Sequence, residues 1–381
     1  MLYRAFGKTD LRVSALGFGA MRLPTHNGSH SGAGIDEAEA MRMIHHAIDQ
    51  GVNYIDTAYV YHEGQSEILV GKALNDGHRA KVLVATKSPV WLLHKESDFD
   101  TYLNEQLQRL QTDVIDCYLL HALNRARWRN TILPLNVLGK AEAAIRDGRI
   151  RHLGFSFHGP YEEFEEILRE FERWSFCQIQ YNYMDTENQA GEKGLLLAAS
   201  QGLGVVVMEP LLGGRLANPP KAISDAMDRF SVRRTPVDWA LQWLWDQPAI
   251  SNVLSGMSTM DQLEANLSSA AHSRTGSLSS ADQNLIAFAR ERYRERTVIP
   301  CTKCGYCVPC PTGVDIPGVF ELFNDAHLYD DIPGAKFRYT IFLDPSKRAD
   351  ACTQCEDCLS KCPQNINITA WLPKVTELLG A

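Results

Sequence analysis

What the 381-residue sequence has little of narrows its function first. It holds no apolar run that approaches a membrane span; the best candidate, residues 203–212, is short and contains Glu209 and Pro210. It has no stretch rich in lysine and arginine, and its net charge is −8. Both features speak against nucleic acid or an anionic membrane as partner. The opening residues carry no apolar segment of signal-peptide length, so a cytoplasmic location is expected. Cysteine is scarce ahead of residue 300: Cys117 and Cys177 each sit inside an apolar, strand-like run and read as small buried hydrophobes. That argues against a disulfide framework. A third glycine is missing as well. Gly17-Phe-Gly19-Ala-Met-Arg22 lacks the last glycine of a Gly-x-Gly-x-x-Gly fingerprint, which counts against an open dinucleotide-binding sheet.

What is present is an ordinary globular composition, 45% hydrophobic and 22% charged, with a regular rhythm. Short apolar runs at 15–20, 53–57, 82–87, 114–121, 151–156, 176–181, 204–208 and 250–255 alternate with segments of helical period. The helical segments are 36–50, 66–75, 98–110, 134–147, 161–171, 191–201, 236–245 and 260–267. Asp36 and Asp98 suit N-caps, and Gly51, Gly148 and Gly202 suit C-caps. Eight strand–helix units are what a closed (β/α)8 TIM barrel requires, with an open doubly wound sheet as runner-up. Residues 3–13 read as a hairpin turning at 7–10. The expected organisation is a barrel over 1–280, a linking helix over 281–296 and a small, mainly helical domain over 297–381.

That last region holds the other eight of the ten cysteines. The first run is Cys301-Thr-Lys-Cys304-Gly-Tyr-Cys307-Val-Pro-Cys310-Pro; the second is Cys352-Thr-Gln-Cys355-Glu-Asp-Cys358-Leu-Ser-Lys-Cys362-Pro. Two-residue gaps let one turn of backbone offer three thiolates to one cubane, while the cysteine ahead of the proline serves the other cluster. This assigns Cys301, Cys304, Cys307 and Cys362 to one [4Fe–4S] cluster, and Cys352, Cys355, Cys358 and Cys310 to a second. Two zinc sites, each with four cysteine ligands, are the alternative, although zinc normally takes separated Cys-x-x-Cys pairs. One departure stands out: two residues, not the usual three, precede Cys310. The spacer between the runs has helical segments at 314–328 and 330–342. The arrangement resembles the α-helical ferredoxin domain of succinate dehydrogenase iron–sulfur subunits.

In a TIM barrel the chemistry lies at the C-terminal ends of the strands. Asp56 and Tyr61 follow the second strand, Lys87 the third and His121 the fourth. Each alone has a bland explanation in packing; four on adjacent strand ends face one mouth. With the stretches Leu16-Gly-Phe-Gly-Ala-Met-Arg, Gly51-Val-Asn-Tyr-Ile-Asp-Thr-Ala-Tyr-Val-Tyr61, Glu67-Ile-Leu-Val-Gly71, Ala85-Thr-Lys87 and Tyr118-Leu-Leu-His121, the sequence resembles the aldo-keto reductase family over its first 270 residues or so. The cysteine tail marks the family's iron–sulfur branch.

The resemblance implies a nicotinamide-dependent reduction of an aldehyde or ketone, or the reverse oxidation of an alcohol. In that scheme Tyr61 is the general acid, Lys87 lowers its pKa, Asp56 holds Lys87 and His121 orients the carbonyl. Tyr59 competes for the acid role, and the spacing from Asp56 favours Tyr61. The implied cofactor contacts are Ser156 and Gln178 with the carboxamide, Met208 where the family has a stacking aromatic, Gly256 at a helix start, and Asn266. The Lys and Arg that hold the 2′-phosphate of NADP in the family are Gly256 and Gln262 in this sequence, so NADP and NAD both remain open. Hydride moves as two electrons and each cubane takes one, so coupling them calls for a flavin: the clusters either serve a partner flavoprotein or only stabilise the tail and shape the substrate mouth. The other reading is an electron-transfer or regulatory protein whose barrel binds nucleotide without turnover.

Overall fold

The computed structural model describes residues 1–26, 34–301, 303–362 and 364–380; Thr302 and Pro363 of the cysteine runs lie outside them. The chain divides into two compact units, Met1–Gly213 with Val237–Ser279, and Gly214–Pro236 with Ser280–Ala381.

The first unit opens with an antiparallel hairpin, β1 (Tyr3–Ala5) and β2 (Arg12–Ser14). Its turn passes through Gly7 at φ +58°, where a β-carbon would lie 2.3 Å from the backbone nitrogen of Gly204. Only glycine allows that approach, and it brings Phe6 against Tyr54 and Phe176 to close the barrel floor. Eight parallel strands follow: β3 (Leu16–Gly19), β4 (Tyr54–Asp56), β5 (Leu83–Ser88), β6 (Ile115–Leu123), β7 (Ile150–Phe157), β8 (Phe176–Gln180), β9 (Gly204–Met208) and β10 (Asn252–Ser255). They pair in sequence order and β10 returns to β3, closing the barrel. The strands are buried on both faces, which is why they read as continuous apolar runs rather than alternating ones. The barrel predicted from the rhythm of the sequence is therefore the fold.

The helices between the strands lie within a few residues of their predicted positions, among them Glu37–Asp49, Gln65–Ala73, Asp98–Arg109 and Val137–Arg146. Asp36 is an N-cap, its carboxylate accepting from the Glu39 N–H at 3.1 Å. Asp98 is not: Ser97 holds the cap position, and the Asp98 carboxylate turns back to the N–H groups of His94 and Lys95. β6 runs past its predicted end at residue 121, through a register shift between Leu120 and Leu123, with Ala122 at φ +49°. A bulge of this kind re-aims a side chain at a barrel rim.

The second unit packs the helix Lys221–Arg229 against Ser280–Arg294, and gathers Ile316–Leu328, Ile332–Ile341 and Ile368–Leu379 around Val319, Phe320, Phe323, Tyr339 and Leu372. Asp315 and Asp331 cap the first two of these by accepting from Gly318 and Gly334. Proline and glycine behind each cap suit a first turn. Among the described residues no helix is long and apolar enough to cross a membrane.

Candidate active site and cysteine centres

The carboxyl ends of β4, β5 and β6 bring Asp56, Tyr61, Lys87 and His121 together. Lys87 Nζ donates to Asp56 Oδ1 at 2.6 Å and to the Thr57 carbonyl at 2.7 Å, and lies 3.4 Å from the Tyr61 hydroxyl. Lys87 and Asp56 are both nearly inaccessible to solvent, so neither is tolerable without the other. Burial works against the Lys87 ammonium, but the charges and hydrogen bonds of Asp56 and Tyr61 together outweigh it and raise the pKa. Burial raises the Asp56 carboxyl, with Lys87 pulling the other way.

Tyr61 differs from expectation. Burial raises its hydroxyl above the ordinary tyrosine value; Lys87 lowers it, and Asp56 adds to the rise. The neighbouring cation moderates the shift without reversing it, because a dry site penalises the phenolate first. Tyr59 points elsewhere: its hydroxyl donates to Glu105 at 3.1 Å and its ring lies under Arg109. Of the two tyrosines only Tyr61 reaches Lys87.

His121 stands edge-on to Tyr61, ring centroids 6.1 Å apart, with Trp91 5.0 Å from it. Its Nδ1 is buried and has no hydrogen-bond partner among the described residues. Burial, then the positive charges of Lys87, His158 and Arg127, drive its pKa well below the ordinary value and keep the ring neutral.

Behind these residues lies a buried network that joins Glu67, Thr86 and Tyr118, from the stretches that carry the family resemblance, to Gln106 and Arg109, which lie outside them. Glu67 accepts from Thr86 and Gln106, each at 2.6 Å, and pairs with Arg109 at 3.2 Å. Gln106 also donates to the Lys87 carbonyl at 3.1 Å and accepts from the Tyr118 hydroxyl at 2.7 Å. The network fixes the end of β5, hence the direction in which Lys87 leaves it.

The residues singled out for a nicotinamide are distributed along the ends of β7 to β10. Ser156 Oγ accepts from the Ala122 N–H at 2.7 Å, tying β7 to the bulge in β6 while leaving its own proton free to donate. Gln178 is buried, and among the described residues its Oε1 has no partner. A carboxamide, with one donor and one acceptor end, fits this pair. Met208 ends β9 half-buried. Gly256 follows β10, exposed. Asn266 lies inward and donates to Ser255 Oγ at 3.0 Å, so its amide holds β10 to its helix. Gln262 accepts from the Ser258 N–H at 2.9 Å while Thr259 accepts from Gln262, a reciprocal cap on the helix Met260–Ala270.

Arg22 was missed. Just past β3, it lays its stem along Gly256, where a β-carbon would come within 3.3 Å of Arg22 Cβ, and donates to the Gly213 carbonyl at 3.2 Å. A cation thus spans the loops after β9 and β10. Its signals in the sequence are its place directly after the first barrel strand and at the end of the stretch Leu16-Gly-Phe-Gly-Ala-Met-Arg22.

In the second unit all eight tail cysteines are free of disulfides. Cys301, Cys304, Cys307 and Cys362 line one space together with Ile316, Phe320 and Ile368. That is the grouping drawn from spacing. Cys358 is influenced by Cys352, Cys310 and Cys355 in turn, which is the second group. Burial pushes the Cys307 thiol up to about 11 and raises Cys301 and Cys358, so these thiols need a cationic iron centre to ionise. Cys310 is the exception. Burial works against its thiolate, but the Thr312 hydroxyl and the N–H groups of residues 312–314 outweigh it and lower the pKa. Thiols grouped in this way are the donor set that iron–sulfur clusters take.

A closed barrel with a buried Asp–Lys pair, a tyrosine and a neutral histidine at its carboxyl mouth is the architecture of a TIM-barrel oxidoreductase. Residues 15–277 match the family model described as "Aldo/keto reductase family", and residues 300–366 match "4Fe-4S dicluster domain". The chain belongs to the aldo/keto reductase family, and it is an oxidoreductase. It is similar to the aldo-keto reductase YhdN of Bacillus subtilis, 27% identical over 70% of this chain and 87% of that one. It is also similar to the 6-dehydroglucose reductase of Novosphingobium aromaticivorans, 29% identical over 65% and 83%. Among solved structures, an aldo-keto reductase of Bacillus halodurans in its holo form superposes with a TM-score of 0.63 at 27% identity, covering 76% of this chain and 96% of that one.

Proposed function

We propose that the barrel reduces an aldehyde or ketone with a reduced nicotinamide dinucleotide, or oxidises the alcohol in reverse, and that the tail holds two [4Fe–4S] clusters. The observation that carries the first reading is the Tyr61 hydroxyl 3.4 Å from an ammonium which is itself 2.6 Å from a buried carboxylate. The nicotinamide supplies a hydride to the carbonyl carbon. Tyr61 supplies the proton to the carbonyl oxygen: its O–H bond breaks as the alcohol O–H forms. Its raised pKa keeps that proton in place until the oxygen gains charge, and Lys87 steadies the phenolate left behind. Neutral His121 hydrogen-bonds the carbonyl and fixes its direction. Ser156 and Gln178 hold the carboxamide, Met208 lies against the ring, Arg22 and the backbone at Gly256 meet the phosphates, and Asn266 braces β10 beneath them. Steady-state oxidation of NADPH and NADH by anaerobically purified protein, across a panel of aldehydes, tests the reading. Turnover with at least one aldehyde supports it; bound nucleotide with no turnover across the panel favours an electron-transfer or regulatory protein instead.

For the tail, Cys301, Cys304, Cys307 and Cys362 hold one cluster and Cys352, Cys355, Cys358 and Cys310 the other, each run lending one thiolate to its neighbour's centre. Clusters of this kind supply one-electron transfer, so exchange with a hydride carrier goes through a flavoprotein partner.

A further inference from the structure

The segment after β6 carries three arginines with different surroundings. Arg125 Nε pairs with Glu166 at 2.6 Å, and Arg129 Nη2 with Glu170 at 2.5 Å. Both are exposed, neutralised surface cations. Arg127 lies between them in sequence and is half-buried. Its guanidinium carbon stands 5.2 Å from the centre of the Trp91 ring, and Nη1 donates to the Ala122 carbonyl. Among the described residues no carboxylate pairs with it. Trp91 in turn lies 5.0 Å from His121, whose ring faces Tyr61. The order of contact from the acid outward is therefore Tyr61, His121, Trp91, Arg127, along the β5–β6 side of the mouth.

The charges around this path are unequal. Lys87 is matched by Asp56. Arg127 is unmatched, and its charge reaches His121. The opposing carboxylate, Glu209, follows β9; its charge is felt at Tyr61 and His158 but is not among those acting on His121. A half-buried cation fixed against an indole, with donors still unspent, is built for an anion more than for bulk water. Its planar fork matches a carboxylate, and the indole offers a flat apolar wall to whatever links that carboxylate to the carbonyl.

We propose that Arg127 and Trp91 form a carboxylate subsite beside the reacting carbonyl, so that the preferred substrates are aldehydes or ketones bearing a carboxylate a few bonds from the carbonyl carbon. This rests on the carbonyl-reductase reading above. Arg127 acts on specificity: it positions the far end of the substrate and takes no part in hydride or proton transfer.

The test compares 4-carboxybenzaldehyde with its methyl ester on the full anaerobic chain. The acid is expected to have a KM lower than the ester's by about tenfold or more, as for a charge-assisted pair. In Arg127→Gln that ratio falls to near one, the loss appearing in the KM of the acid and not in its kcat. Equal KM values in the unaltered chain, or a ratio that survives Arg127→Gln, overturn the subsite. Calorimetric titration of benzoate, with benzamide as the neutral control, judges it without turnover. Benzoate binding that Arg127→Gln abolishes supports it, and binding equal to benzamide's contradicts it. If neither aldehyde is reduced while benzoate binds through Arg127, the reductase reading fails and the anion site stands.

Discussion

At the scale of single residues, the chemistry of the candidate site rests on residue types that have few other reasons to sit at strand ends. Lys87 at the close of an apolar strand is such a case: an ammonium there must have a buried partner, and Asp56 provides it at 2.6 Å. The direction of the Tyr61 shift was not legible, since it depends on how dry the mouth is once the chain has folded. Tyr61→Phe is expected to lower kcat for carbonyl reduction roughly 10²–10⁴-fold, the range for a lost general acid. Nucleotide affinity should barely change, because the hydroxyl serves the substrate. A dead Tyr59→Phe beside an active Tyr61→Phe would refute the assignment. Arg22 yields a second expectation. The diphosphate is common to NADPH and NADH, so Arg22→Ala should raise KM for both by about tenfold or more, as for charge-assisted bonds, leaving modest discrimination between them. Unchanged KM values would remove Arg22 from the cofactor site.

At the scale of elements, the rhythm of strand and helix was readable because parallel strands buried on both faces and amphipathic helices leave different periods. The bulge in β6 was not. The strand reads as ending at His121, and nothing in the residues after it marks Ala122 for a positive φ. The compensation comes from another strand, in the hydrogen bond from the Ala122 N–H to Ser156 Oγ at 2.7 Å. Ser156→Ala leaves that N–H without its partner and should cost about 1–3 kcal/mol. Thermal unfolding should show it as a Tm lowered by roughly 2–4 °C per kcal/mol. An unchanged Tm would show that the bulge does not depend on Ser156. Asp98 gives a similar lesson: the residue type suited an N-cap, but the carboxylate found two N–H groups upstream instead.

At the scale of the whole molecule, the cysteine spacing was the clearest signal in the chain, and Cys362 lies in the space lined by Cys301, Cys304 and Cys307. Two helices of the second unit, Lys221–Arg229 and Ile368–Leu379, went unread. The first falls in an interval that seemed to be barrel, and the second carries Pro373, which argues locally against a helix. Iron and sulfide analysis of anaerobic protein should give about eight of each per chain; stoichiometric zinc without sulfide would contradict the clusters. Cys355→Ala should lose one cluster and make the tail sensitive to protease beyond Arg296, because ligation forms part of the folding free energy of so small a cysteine-rich region. The barrel, with its own core, should still unfold cooperatively and bind nucleotide. A tail that stays resistant without its clusters would show that the packing of Phe320, Phe323 and Leu372 is enough to hold it.

The central claim is that the barrel moves a hydride between a nicotinamide and a carbonyl carbon. Mass spectrometry of the alcohol formed from an aldehyde and NADPH carrying deuterium on both positions of nicotinamide C4 tests it most directly. The account predicts one deuterium on the former carbonyl carbon with the unaltered chain, and a product yield at least roughly a hundredfold lower over the same time with Tyr61→Phe. Nucleotide that binds but leaves no deuterium in any alcohol would contradict it.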